Sequence, residues 1–93
     1  MAFDSLHNYY ERLVFSQIHD EVNKQQLNAN SDTLEDIACV ALNQLPARYI
    51  RHDIDLAFYL STDEREKLDR SVIQAVNYAL EFVQSRNEKN KPS

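Results

Sequence analysis

No glycine occurs anywhere in the ninety-three residues, where an average soluble protein carries about 7 %. Tight turns at positive φ, phosphate-cradling loops and strained nucleophile elbows depend on glycine, because only a residue without Cβ enters the left-handed region freely or lets backbone approach a ligand. The chain therefore excludes the dinucleotide fingerprint, the P-loop and the α/β-hydrolase elbow in one step. What remains open is a fold of helices joined by polar connections.

Periodicity supports that fold class. Leu6, Tyr10, Leu13, Val14, Ile18 and Val22 recur at spacings of three and four behind Asp4 and Ser5, which can serve as N-caps, so a first helix is predicted over residues 5–25. Phe3 and Phe15 broaden its apolar stripe beyond what one neighbour needs. An amide-rich connection follows over residues 25–30. Asp32-Thr33-Leu34-Glu35 has the form of a capping box, which starts a second helix at Thr33 with Leu34, Ile37, Ala38, Ala41 and Leu45 on one face. Pro46 lacks an N–H and restricts Leu45, so this helix is expected to end at about Gln44. Beyond it the segment from Arg48 to Leu60 alternates only loosely, and strand, coil and short helix remain open.

A second capping box, Ser61-Thr62-Asp63-Glu64, opens the longest helix, predicted over residues 62–86. Leu68, Val72, Ala75, Ala79 and Phe82 form one seam along it, and Ile73, Val76, Leu80 and Val83 a second. Three helices rarely cover so wide an apolar arc. The second seam either packs beneath the 48–60 segment or forms a two-fold dimer contact through Ile73, Val76, Leu80 and Val83. The expectation is an all-α domain over residues 4–86, three principal helices in a dimeric bundle, with a disordered polar tail at 87–93.

Charge and cysteine usage narrow the function classes. A net charge of −5 disfavours nonspecific nucleic-acid binding, which needs an excess of Lys and Arg. No run reaches the roughly 20 apolar residues of a membrane span, and no signal-peptide pattern is recognisable. One cysteine, Cys39, cannot form an intramolecular disulfide; it reads as a small packing residue at a helix edge, and a cytoplasmic, reducing location is expected. His7, His19, His52 and Cys39 show no metal-ligand spacing, so neither a metal nor a resident cofactor is expected. Asp20, Glu21, Asp63, Glu64 and Glu66 read as solvated charge and caps, and no nucleophile–base arrangement points to an enzyme.

One stretch departs from this acidic background. Sixteen consecutive residues, 37–52, contain no acid and end in Arg48, Arg51 and His52. An arginine fork grips a phosphate or a guanine edge through two bonds, and Tyr49 offers a ring or a hydroxyl beside it. The competing reading is structural: Arg48 or Arg51 caps the second helix or pairs with Asp53 and Asp55, and Tyr49 packs as an anchor.

The run from Asp36 to Tyr49, with its D-I-x-x-x-A-L-N-x-L-P-x-R-Y pattern, resembles the signature of the ComFB late-competence development family. Asn8-Tyr9-Tyr10-Glu11-Arg12-Leu13-Val14 and the final helix are similar to the same family in placement. The resemblance implies a small helical, dimeric bacterial protein without catalytic activity, associated with competence. Some members are regarded as receptors for cyclic di-GMP linked to pili, motility or cell size. Others hold zinc through several cysteines, which a chain with Cys39 alone does not reproduce. Cyclic di-GMP carries two guanines and two phosphates, and the chemistry of Arg48, Tyr49 and Arg51 suits them; these three are the candidate ligand residues. The alternative is an interaction module of a competence or pilus system that docks a protein partner and takes no nucleotide.

Overall fold

The computed structural model describes residues 5–52 and 60–89, with side chains through residue 86. Three helices dominate: α1 (Tyr10–Gln25), α2 (Ser31–Asn43) and α3 (Thr62–Lys89). Two short strands, β1 (His7–Asn8) and β2 (Tyr49–Ile50), pair antiparallel with His7 opposite Ile50 and Asn8 opposite Tyr49. The all-α expectation holds, with this one small ladder added.

α3 packs chiefly on α2, and α1 lies against both. Tyr10, Val14 and Ile18 come from α1, Ile37 and Ala41 from α2, and Val72, Ala75, Val76, Ala79, Leu80 and Val83 from α3, with Leu45 closing the end of α2. No polar or charged side chain is buried among the described residues. The core is thus held by apolar burial, at roughly 25 cal/mol per Å² removed from water. Ala41, Ala75 and Ala79 are all buried where α2 meets α3, and residues this small let two helix backbones approach closely.

The helix ends show where periodicity alone misplaces boundaries. α1 begins at Tyr10 and not at residue 5, because His7 and Asn8 are drawn into the ladder with β2. Ser5 does not cap it; its carbonyl instead lies 2.9 Å from His7 Nδ1. Asp4 and Phe3 lie outside the described residues. At its other end Gln26 adopts φ 52 and ψ 43, and the amides of Gln26 and Leu27 donate to Asn23 and Val22 carbonyls at 3.3 and 3.0 Å. This left-handed C-terminal closure ordinarily takes glycine; a glycine-free chain meets it with a glutamine, the only positive-φ residue among those described.

α2 is capped by Asn30, whose Oδ1 accepts from the Thr33 amide at 2.8 Å, so the helix starts at Ser31, two residues before the Thr33 start predicted from Asp32. Asp32 sits in the first turn, where its charge complements the helix dipole. The Ser61 cap of α3 is as predicted, its Oγ accepting from the Glu64 amide at 3.2 Å. The helix continues through Lys89, so residues 87–89, expected to fray, are helical in backbone.

The two seams of α3 also separate differently from the sequence reading. Val76, Leu80 and Val83, expected at a dimer contact, are taken up in the core of a single chain, while Ile73 stays 40 % exposed. Phe82, assigned to the other seam, is at the surface as well. The buried arc runs between the two predicted seams because α1 and α2 together cover α3 from one side. Phe15 on α1 and Cys39 on α2 are exposed. Residues 53–59, whose conformation the sequence left open, lie outside the described residues.

Candidate ligand site

The arginine turn is built from the end of α2. Leu45 is buried and anchors the chain, while the amides of Gln44 and Leu45 donate to Ala41 and Leu42 carbonyls at 3.1 and 3.3 Å in a tightened last turn. Asn43 adds a bond from Nδ2 to the Cys39 carbonyl at 2.9 Å. Pro46 then has no amide to continue the helix, and two residues later the backbone reaches β1.

Both backbone polar groups of Arg48 are engaged there. Its amide donates to Asn8 Oδ1 at 3.1 Å, and its carbonyl accepts from the Tyr9 amide at 2.7 Å. The same Asn8 oxygen accepts from the Tyr10 amide at 3.2 Å, so one carboxamide ties the start of α1 to the arginine turn forty residues away. Asn8 is thus the residue that sequence reasoning missed. Its signal was present: asparagine followed three residues later by Glu11 is a helix-start pattern.

The structure brings Arg48, Tyr49 and Arg51 onto one short strand and its flanks, all three exposed, with Tyr49 at 66 %. Ile50, between them, is half-buried, as the two-residue alternation of a strand requires. Neither arginine side chain makes a hydrogen bond or ion pair with a described residue, so neither caps α2. Asp53 and Asp55 lie outside the described residues. Tyr49 is not a buried anchor. Tyr10, which opens α1, is the buried tyrosine of this corner; burial raises its hydroxyl pKa above the ordinary 10.0, the Arg48 guanidinium opposes that rise, and Tyr9 adds to it.

On the other side of Pro46 a groove of about 270 Å³ lies between the end of α2 and α3, lined by Gln44, Leu45, Pro46, Ser71, Gln74, Ala75 and Tyr78. A second, more apolar groove of about 200 Å³ lies between α1 and α2, beside Phe15 and His19. No group of three or more potential metal ligands, His7, His19, His52 and Cys39 included, occurs among the described residues. No helix among them is long and apolar enough to cross a membrane.

No curated protein and no solved structure matches the chain significantly. The family model for the late competence development protein ComFB matches residues 7–87. That span takes in β1, all three helix cores, the Asn8 clasp and the arginine turn, and the chain belongs to the ComFB family of competence-related proteins.

Proposed function

We propose that this chain is a cytoplasmic, non-enzymatic regulatory protein that receives cyclic di-GMP at Arg48, Tyr49 and Arg51 and passes the signal to a protein partner of a competence, pilus or motility system. The observation that carries the reading is the exposure of these side chains on a backbone fixed by Asn8. Guanidinium forks that flank a braced strand and pair with no described residue can meet phosphate or guanine without first breaking such a pair. Net acidity does not oppose this, because a discrete ligand needs only a local positive surface.

Calorimetry on the wild-type chain and on Arg48→Ala tests it. Binding of cyclic di-GMP at submillimolar ligand, abolished by the substitution, is expected; a wild-type chain that gives no heat removes the proposal. Self-association belongs to the same reading. Of the seam once expected to carry it, only Ile73 is left at the surface. A monomer mass by sedimentation at every accessible concentration would remove the dimer.

A second reading, an interaction module without a nucleotide, is favoured by a different observation. Tyr78 and Phe82 stack at 6.0 Å on the surface of α3, and the Arg86 guanidinium lies 5.7 Å from the Phe82 ring. Aromatic and arginine side chains of this kind are enriched in protein interfaces.

A further inference from the structure

We infer that the groove beside Pro46 is a subsite for a purine base. At about 270 Å³ it is smaller than the roughly 300–1,000 Å³ of pockets that enclose a whole drug-sized ligand, so it takes one ring system of a larger molecule. Buried Leu45 and Ala75 supply apolar contact, Pro46 adds a stiff aliphatic ring, and Tyr78 adds a flat aromatic one. The Tyr78 ring is steadied from outside the groove by Phe82, stacked on it at an interplanar angle of 24°.

Two carboxamides, Gln44 and Gln74, line it beside Ser71, whose hydroxyl donates to the Lys67 carbonyl at 2.9 Å, and neither carboxamide has a partner among the described residues. A carboxamide presents one acceptor and two donors in a plane. With adenine it bonds N6 and N7 in a bidentate pair. With guanine its oxygen accepts from N1–H while its NH₂ donates to O6. A sugar or an aliphatic acid offers no flat face for Tyr78, whereas every base has one, and stacking on an aromatic side chain is indifferent to base identity. None of the described residues that line the groove is charged, which suits a neutral ring.

Its position relates it to the turn. Pro46 lines the groove and Arg48 follows two residues later, so their Cα atoms are at most about 7.6 Å apart. A base in the groove would place its phosphate within reach of the Arg48 fork. That link rests on the nucleotide reading of the turn, but the groove's preference for a purine rests on its own lining residues.

The test follows the side-chain amide signals of Gln44 and Gln74 and the ring signals of Tyr78 by nuclear magnetic resonance of the full chain. It is titrated separately with guanosine 5′-monophosphate, adenosine 5′-monophosphate, ribose 5-phosphate and cyclic di-GMP. At least one purine monophosphate is expected to move these signals while ribose 5-phosphate does not, and the two purines report which base is preferred. Tyr78→Ala is expected to weaken purine binding by about tenfold or more, and Tyr78→Phe to retain it. Gln74→Ala, at an exposed helical position, keeps the test valid if Tyr78→Ala does not fold. The groove proposal is overturned if purines leave the signals unmoved or ribose 5-phosphate moves them equally. Cyclic di-GMP signals at Arg48 and Arg51 with a silent groove would also overturn it, leaving the receptor reading intact. A groove filled by purine monophosphates with Arg48 unmoved by cyclic di-GMP would uphold it while the receptor reading falls.

Discussion

The layer around Val76 and the clasp at Asn8 hold the same molecule together by opposite means. Around Val76, which is fully buried, every buried side chain is a hydrophobic residue, and burial does the work. At Asn8 the side chains of Arg48, Tyr49 and Arg51 are exposed and three backbone amides, those of Tyr9, Tyr10 and Arg48, set the geometry. Stability and the geometry of the arginine turn are therefore separable: the first depends on volume, the second on one carboxamide oxygen and a two-residue ladder.

The largest expected effect breaks the first region. Ile37→Ala removes a side chain that is 2 % exposed and should cost about 2–5 kcal/mol. In a domain of this size each kcal/mol lowers Tm by about 4–8 °C, and a melt that shifts by less than this would show that the site collapses around the cavity.

Asn8→Ala comes next and acts on the second region. It leaves the Tyr10 and Arg48 amides without their acceptor, at an expected cost of about 1–2 kcal/mol. Hydrogen exchange at the Arg48 amide should quicken far more than at core amides of α3. Uniform quickening across the chain would mean that Asn8 serves overall stability and not the turn.

Tyr10 belongs to both regions, buried in the core and acted on by Arg48. Because its folded pKa lies above the unfolded value near 10.0, the stability it contributes is complete below that pH and lost as pH rises through the folded pKa. Tyr10→Phe should flatten this alkaline limb of the stability curve, and a limb of unchanged slope would assign the loss to other groups.

How much of this the sequence disclosed follows the same division. Helices, capping at Ser61 and the core face of α2 are local properties, repeated every three or four residues, and they were legible in Leu34, Ile37, Ala41 and Leu45. The β1–β2 pairing joins residues about forty apart through backbone groups that carry no side-chain signature, so a first helix running from residue 5 was the natural reading. The second α3 seam divides between core and surface for a related reason. Periodicity identifies an apolar arc, but only tertiary contact tells which part of it α1 and α2 consume, and they consume Val76, Leu80 and Val83. The arginine turn was visible as an acid-free run; that its side chains pair with no described residue and its backbone is fixed was not.

On the proposed reading Arg48 serves a ligand and not the fold. The most direct test of this is a pair of thermal melts, wild type and Arg48→Ala, each with and without cyclic di-GMP. Without ligand the two should differ by no more than about 0.5 kcal/mol, as for an exposed side chain with no hydrogen bond or ion pair to a described residue. At a hundredfold excess over Kd the ligand should stabilise the wild type by about 2.7 kcal/mol and leave Arg48→Ala unmoved. A wild type that does not shift, or a variant that shifts equally, would contradict the claim.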